Sequence, residues 1–241
     1  MWQPPPAALL LGQDEVHVWH AQLDISPQDL ATYQHSLSTD EIARAQRLHN
    51  PADQRRFVAR RGLLRRLLSN YLQVRPAEIR FSYTAYGQPL LSVRDQRNRL
   101  RFSLSHTSDH ALFAVSRNRD IGIDIEYLHY LFEYEQIAGS LFAAEEYALL
   151  CALPLAQRAK AFFRLWTCKE AYIKACGLGL SLPLNTFAVA LAPDESARLL
   201  YVHKQGGAAH SSLRELQIDE QHAAALAVEG SDWQLRCWQY T

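Results

Sequence analysis

Two carboxylates alternate with isoleucines in the segment DIGIDIE, residues 120–126. In an extended strand Asp124 and Glu126 lie on one face, with their Cβ atoms about 6.6 Å apart at a rise of about 3.3 Å per residue. From there both carboxylates can converge on a hard cation such as Mg²⁺. Because Gly122 on the same face has no side chain, we expect room for a ligand there. A strand at the edge of a sheet with a polar outer face would show the same alternation, so the spacing alone leaves both interpretations open.

A third carboxylate, Glu170, belongs to the helical segment FFRLWTCKEAYIKACG. On a helical wheel at about 100° per residue, Glu170 falls inside an apolar arc. That arc consists of Phe162, Phe163, Leu165, Trp166 and Ile173. A carboxylate on a buried face needs a partner, because burying an unpaired charge costs several kcal/mol. Lys174 at i+4 is the structural candidate. A cation shared with Asp124 and Glu126 is the functional alternative, and spacing does not decide between them.

Groups that could bind phosphate occur in two further segments. Ser105 and His106 belong to the predicted hairpin RFSLSHTSDHALFAVS, where a hydroxyl, an imidazole and turn amides come together. A histidine beside a turn is more often structural, and that reading stays open. In the preceding Arg-rich helix, Arg61 falls within the apolar arc and is expected to point into a cleft. Arg56, one turn earlier, is expected to join it in binding phosphate.

Several functional classes lack support in the sequence. No serine lies in a GxSxG elbow, CGLGLSLP fails the dinucleotide fingerprint, and no Walker lysine loop is present. The 25 Lys and Arg residues balance the 25 Asp and Glu residues, which disfavours nucleic acid or an anionic membrane as partner. The four cysteines form no CxxC pair, and no apolar run reaches the roughly 20 residues of a membrane span. We therefore expect a cytoplasmic protein with free thiols.

The elements predicted around these residues mix helices and strands. A strand, EVHVWHAQLDIS, precedes a helical stretch from about residue 38 to 71 that breaks at NPAD. A strand–turn–strand unit, the hairpin and the DIGIDIE strand follow. Two helices separated by Pro154 come next, the second ending at Gly177, and four strand-like segments finish the chain. A weak echo between HALFAVS and HAAALAVE raises the possibility of a duplicated α+β unit.

These features occur in an order that resembles a known enzyme family. IGIDIE, followed some forty residues later by LWTCKEAYIK, resembles the signature pair of 4′-phosphopantetheinyl transferases. YGQPLL, FSLSHT and GLGLSLPL extend the match over about residues 55–187, and the chain length resembles the two-domain, surfactin-type (Sfp-like) branch. The resemblance implies an α+β pseudo-dimer of two similar α+β halves with the active site between them. We expect an N-terminal half at residues 1–118 and a C-terminal half at residues 119–241 that carries the metal-binding acids.

The resemblance also implies roles for individual residues. Asp124, Glu126 and Glu170 resemble the magnesium ligands of the family, and Asp124 lies against the co-substrate coenzyme A. Lys169 and Lys174 resemble its diphosphate and phosphate contacts, with Lys174 also a catalytic cation.

Further residues resemble the family's contacts to coenzyme A. Ser105 and His106 resemble residues that hold coenzyme A phosphate, His106 at the 3′-phosphate, with Arg56 and Arg61 as helpers. One position departs from the pattern: the family usually has Lys in YGKP, whereas Gln88 stands here. A cationic contact near the adenosine end is therefore absent.

The implied enzyme is a transferase with holo-acyl-carrier-protein synthase activity. A serine hydroxyl of an apo acyl or peptidyl carrier protein attacks the β-phosphate of coenzyme A, and adenosine 3′,5′-bisphosphate leaves. We expect Mg²⁺ dependence, Glu170 as acceptor of the serine proton either directly or through a metal-bound water, and a monomer. The alternatives are a Mg²⁺-dependent phosphohydrolase and a non-catalytic module that binds carrier proteins.

Overall fold

A computed structural model describes residues 2–6, 9–92, 99–129, 133–190, 197–202 and 210–240. Within these ranges the chain forms six α-helices and eleven strands. The helices are α1 (Pro27–Ser36), α2 (Thr39–Gln46), α3 (Pro51–Leu72), α4 (Tyr134–Leu141), α5 (Ala144–Ala152) and α6 (Leu155–Cys176). The strands are β1 (Glu15–Gln22), β2 (Phe81–Tyr83), β3 (Pro89–Leu91), β4 (Leu100–Thr107), β5 (His110–Arg117), β6 (Ile121–Tyr127), β7 (Phe187–Ala190), β8 (Arg198–Val202), β9 (Ser211–Glu215), β10 (His222–Glu229) and β11 (Gln234–Gln239).

The N-terminal half packs the long helix α3 against a four-stranded sheet of order β11-β1-β5-β4. Helix α3 begins at Pro51, where the side chain of Asn50 accepts a hydrogen bond from the Ala52 amide, and it ends before Gln73 in the left-handed conformation. Its apolar side buries Leu64, Leu68 and their neighbours against the sheet. This packing holds the β4–β5 hairpin, which carries the SHT motif.

The C-terminal half packs helix α6 against a three-stranded antiparallel sheet of order β6-β10-β9. The helix ends at Gly177, whose φ of 67° is one that residues with a Cβ rarely adopt. Phe162, Phe163 and Ile173 face the core on one side of α6, as the wheel predicts. This arrangement lays α6 directly across β6.

A third apolar core lies between the two sheets. Ile121, Ile123 and Ile125 of β6 pack in it against Val18 and Leu112 of the other sheet. Ser103 on β4 links the halves further, because its hydroxyl accepts a hydrogen bond from the Ile123 amide at 3.1 Å. The predicted division of faces on DIGIDIE is confirmed: the isoleucines are in the core and the acids turn toward α6.

The division into two sheets does not coincide with the division of the chain into two halves. Strand β11, at the end of the C-terminal segment, runs parallel to β1 and forms the edge of the N-terminal sheet. The predicted boundary at residues 118 and 119 falls in the turn between β5 and β6, yet β11 crosses back over it. Each half is therefore completed by contacts with the other.

The predicted α+β class and most of the predicted elements are confirmed. The hairpin turns between Thr107 and His110, and the DIGIDIE strand and both long helices form where expected. Helices α1 and α4 and strand β8 were not predicted, although Ser26 and Pro27 give α1 a recognisable start. Part of the predicted strand FAVALA lies outside the described residues. Among the described residues, no helix combines the length and hydrophobicity that crossing a bilayer requires.

Candidate active site

Asp124 occupies the centre of the site, between β6, β4 and α6. The Ser105 hydroxyl and the Lys174 ammonium both donate to its Oδ1, at 2.8 Å and 2.7 Å. Its Oδ2 is buried and contacts no hydrogen-bond partner among the described residues. Strand β6 is an edge strand of its sheet, but Asp124 is only 3% exposed, so the interpretation of its outer face as a solvated polar surface is wrong. A buried carboxylate oxygen without a protein partner is able to bind a cation.

Glu126 and Glu170 bring two more carboxylates to the same cleft. Burial, followed by repulsion from Asp124, raises the pKa of Glu126 to about 7, while Lys174 and the Trp166 indole oppose the rise. The same two causes, burial and then the Asp124 charge, raise the pKa of Glu170. Three acids that repel one another in a partly desolvated cleft are arranged for a function, since they cost stability without a cation.

The residues present fit a magnesium ion. Asp124, Glu126 and Glu170 offer hard oxygen ligands, and the unpartnered Oδ2 of Asp124 gives one of them a free lone pair. Lys174 does not form the simple i,i+4 pair with Glu170, because its ammonium lies on Asp124 and on the Ile123 carbonyl, at 2.7 Å and 3.1 Å.

Gly122 serves the packing of α6 and leaves no space for a ligand. A Cβ at this position would overlap the Ala171 carbonyl oxygen and lie 2.5 Å from the Ala175 amide. The prediction that Gly122 leaves room for a ligand is therefore wrong. The glycine lets α6 approach β6 closely enough for Glu170 and Lys174 to reach Asp124.

The cleft around the acids has two connected compartments that share Glu170 and Lys174. The larger one, about 820 Å³, is lined by Ser105, His106, Trp166 and the three acids, among others. The smaller one, about 400 Å³, lies under the turn that contains Gln88. Both halves of the protein contribute to each compartment. A ligand that extends through both compartments would pass Lys174 and Glu170.

His106 stands in the larger compartment beside positive charge. Its imidazole lies in the open cleft, where desolvation by the cleft walls, followed by the cations Arg60 and Lys174, lowers its pKa to about 4. Arg60 is half-buried, its Nε has no hydrogen-bond partner, and burial and the neighbouring Arg61 lower its pKa to about 10. Such a group of cations and an imidazole attracts an anion.

Arg60 was not predicted from the sequence. The apolar arc points to Arg61 and the turn before it to Arg56, and the remaining arginines of the helix are predicted to form a solvated face. The available signal was the spacing to Arg56, since residues four apart share one face of a helix.

The structure contradicts the predicted phosphate contact of Lys169. This side chain is fully buried on the far side of α6, where its ammonium pairs with Glu146 at 2.8 Å. It also donates to the Leu184 and Phe187 carbonyl oxygens, at 2.9 Å and 2.8 Å. Lys169 therefore supports the fold and lies away from the cleft.

The structure likewise does not bring Arg61 to the cleft. Arg61 is 5% exposed and lies inside the N-terminal half, with its guanidinium 3.7 Å from Glu41 and 3.0 Å from the Tyr83 hydroxyl. Arg61 lines neither compartment of the cleft, so the structure does not support the prediction that it binds phosphate. Arg56 stays partly exposed and donates to Asp109 at 2.7 Å, so its predicted role stays a prediction.

Gln88 ties the small compartment to the helix that carries the acids. Its side-chain amide donates to the Lys174 carbonyl oxygen at 3.3 Å. A lysine at this position could also donate to that carbonyl, but it would add a charge that the cleft here lacks. The departure from the family pattern therefore keeps the contact between the halves and changes the local charge.

Comparisons with known proteins identify the family of the chain. Residues 21–118 match the family described as 4′-phosphopantetheinyl transferase, N-terminal, and residues 120–227 match the 4′-phosphopantetheinyl transferase superfamily. The chain is similar to 4′-phosphopantetheinyl transferase HetI of Nostoc sp., with 44% identity over 239 residues, covering 99% of this chain and 98% of the relative.

More distant relatives share part of the chain. 4′-Phosphopantetheinyl transferase Sfp of Bacillus subtilis is 30% identical over 170 residues, covering 70% of this chain and 73% of the relative. The crystal structure of holo-[acyl-carrier-protein] synthase from Thermotoga maritima covers 46% of this chain and 63% of its own, at 23% identity and a TM-score of 0.39. That structural likeness is too slight to carry an argument. The near full-length match to HetI and the two family matches are sufficient: the chain belongs to the 4′-phosphopantetheinyl transferases, enzymes that transfer phosphopantetheine to carrier proteins.

Proposed function

We propose that this enzyme requires Mg²⁺, uses coenzyme A as donor, modifies a serine of an apo carrier protein and releases adenosine 3′,5′-bisphosphate. The observation that carries the magnesium proposal is the buried, unpartnered Oδ2 of Asp124 among three mutually repelling carboxylates. A bound Mg²⁺ would supply positive charge against the diphosphate. Asp124, Glu126 and Glu170 are the residues that would hold it.

Lys174 and Glu170 supply the protein's own chemistry. The serine oxygen forms a bond to the β-phosphorus while the bond from that phosphorus to the bridging oxygen breaks, so negative charge builds on the bisphosphate. Lys174 is available to this charge because its ammonium is exposed to both compartments of the cleft. Glu170, whose pKa is raised by burial, is a suitable acceptor for the serine proton.

Ser105, His106 and Arg60 are proposed to bind the phosphates of coenzyme A. They face the larger compartment or act on it electrostatically, and Arg60 has an Nε without a partner. An anion beside His106 would offset the nearby cations and favour the protonated imidazole, which then donates a second hydrogen bond. Arg56 can join this group when it exchanges Asp109 for phosphate.

The central test is transfer to a panel of apo carrier proteins, incubated with coenzyme A and Mg²⁺ and followed by intact mass. We expect at least one carrier to gain one phosphopantetheine, and we expect a metal chelator to stop the gain. Asp124→Asn should reduce the rate by at least about 100-fold, since it removes the central charge of the site.

Asp14→Asn is the matched control, because Asp14 forms an exposed ion pair with Arg119 far from the cleft. It should transfer at the normal rate. If no carrier gains mass while the protein releases phosphate from coenzyme A, the phosphohydrolase alternative replaces this proposal. A folded Asp124→Asn protein with full activity would rule out the metal site.

A further inference from the structure

Three histidines line one end of the core between the two sheets, away from the acids. Side chains alternate along a strand, so His20, His110 and His222 face the same inter-sheet space as Val18, Leu112 and Ala224, their neighbours two residues away. The His20 and His110 rings stack at 5.0 Å and 11°, and the His110 and His222 ring centroids are 4.3 Å apart. The proposed transfer reaction uses none of these groups.

The hydrogen bonds of His20 determine which nitrogen of His110 is free. His20 Nδ1 lies 3.0 Å from Gln239 Oε1, which can only accept, so this nitrogen carries the proton. Neutral His20 then accepts at Nε2 from His110 Nδ1, at 2.8 Å. His110 is left with its lone pair on Nε2, the form in which imidazole binds a metal.

His222 offers its Nδ1 to the same site. Its Nδ1 lies 2.8 Å from a carboxylate oxygen of Asp219, which accepts the proton of that nitrogen. Its Nε2 is buried and has no hydrogen-bond partner, and the side chain is only 4% exposed. A cation bound to Nδ1 replaces the proton that His222 donates to Asp219 and brings both residues to one ion, while the ring proton moves to Nε2.

His110, Asp219 and His222 present one ligand atom each within 4.8 Å of one another. Bonds of about 2.0–2.2 Å to a tetrahedral ion require these atoms to close by about 1.5 Å, which side-chain rotation at the exposed Asp219 can supply. Two imidazoles and one carboxylate are a typical donor set for zinc.

We propose that His110, His222 and Asp219 form a second metal site, which takes a divalent transition-metal ion of the zinc class. His20 orients His110 through its hydrogen bond and does not itself bind the ion. The site is distinct from the acid cluster in its chemistry, because imidazole nitrogen favours zinc whereas three carboxylates favour magnesium. His110 belongs to β5 and His222 to β10, so the ion clamps the two sheets together.

The experiment titrates Zn²⁺ into the full, tag-free chain in the presence of excess Mg²⁺, which saturates the carboxylate site. We expect one equivalent of Zn²⁺ to bind and to raise the thermal midpoint of unfolding. Asp124→Asn should still bind one equivalent of Zn²⁺. His222→Gln should weaken Zn²⁺ binding by at least about 100-fold. His20→Gln should weaken it by about 10-fold, the usual loss for a residue that orients a ligand.

His49→Gln, a change at an exposed histidine, is the matched control and should bind Zn²⁺ normally. The proposal is overturned if the bound equivalent disappears in Asp124→Asn, or if His222→Gln binds as tightly as the parent protein. Transfer activity of His222→Gln should be retained, which separates failure of this site from failure of the proposed reaction.

A spectroscopic measurement on the unaltered chain covers the case in which His222→Gln does not fold. Cu²⁺ bound in the presence of excess Mg²⁺ should show hyperfine coupling to two imidazole nitrogens in its electron paramagnetic resonance spectrum. A spectrum with oxygen ligands only would refute the site.

Discussion

Lys169 and Lys174 lie five positions apart in α6, and their surroundings give them opposite roles. Lys169 is fully buried with Glu146, whereas Lys174 reaches Asp124 and the open cleft. A spacing of five residues turns a helix through about 500°, so the two ammonium groups leave on different sides. At the residue scale, a motif that contains two lysines therefore predicts one functional cation and one structural cation.

Replacing each lysine by methionine should separate the two roles. Lys169→Met leaves Glu146 buried without its cation and should lower the free energy of unfolding by about 3–5 kcal/mol, with the folded fraction still active. Lys174→Met should keep most of the stability and lose at least about 100-fold in transfer rate. Denaturant unfolding and initial rates, measured on the same preparations, check both. A stable but inactive Lys169→Met protein would place this lysine in the active site after all.

The titration of Glu126 predicts how the stability of the metal-free protein depends on pH. The folded state holds its proton up to about pH 7, while the unfolded chain releases it near pH 4.5. The stability that Glu126 contributes is therefore full below pH 4.5 and is lost as the pH rises through 7. Glu126→Gln should match the parent protein at pH 4.5 and exceed it by about 2–3 kcal/mol at pH 8, because 2.5 units correspond to about 3.4 kcal/mol.

The measurement is denaturant unfolding from pH 4.5 to 8 in a chelator. Added Mg²⁺ should reduce the difference between Glu126→Gln and the parent, since the ion relieves the repulsion that the parent retains. A constant difference across this pH range would show that the carboxyl titrates normally in the folded protein.

At the scale of elements, the site depends on the close contact between β6 and α6. Gly122 permits this contact, since the Ala171 and Ala175 backbone occupies the space of a side chain. The strand supplies Asp124 and Glu126, and the helix supplies Glu170 and Lys174, so the distance between the two elements sets the distance between the acids. A small change in packing should therefore alter the chemistry.

Gly122→Ala should destabilise the protein by about 1–3 kcal/mol, the usual cost of overpacking, and should also reduce the transfer rate of the folded enzyme. Thermal unfolding and rates at saturating coenzyme A check these outcomes. Gly139→Ala in α4 is the matched control, because its Cβ would lie 3.4 Å from the Tyr147 ring and alanine favours a helix. If Gly122→Ala were as stable and active as Gly139→Ala, the two elements would not be in such close contact.

At the scale of the whole molecule, strand β11 makes the two halves interdependent. It pairs with β1 along six residues from Gln234 to Gln239, and Trp238 packs against Trp19 in the N-terminal core. The inter-sheet core adds a second connection, and the cleft lies between the halves. Neither half is expected to be stable by itself.

Removal of residues 233–241 should lower the thermal midpoint strongly and expose β1 as a sheet edge that favours aggregation. The loss should be detected in the N-terminal half, although the deleted residues belong to the end of the chain. Hydrogen exchange on β1 and β5 provides the measurement. Unchanged protection of these strands would mean that β11 contributes little to the N-terminal sheet.

The sequence by itself determined the class of fold, the strand faces of DIGIDIE and the three candidate acids. Periodicity reports which side of an element is apolar, and this local property survives folding. The family motifs predicted membership of the 4′-phosphopantetheinyl transferases, which the comparisons confirmed.

Only the tertiary structure decided which charged residues reach the cleft. Arg61 and Lys169 satisfy their motifs, yet each is buried with a carboxylate from a distant segment, Glu41 and Glu146 respectively. Arg60, which the wheel did not single out, lies beside His106. Partners that are distant in the chain are brought together by packing, so no local pattern can identify them. The same reason explains the His110, Asp219 and His222 cluster, whose members meet only because the two sheets share one core.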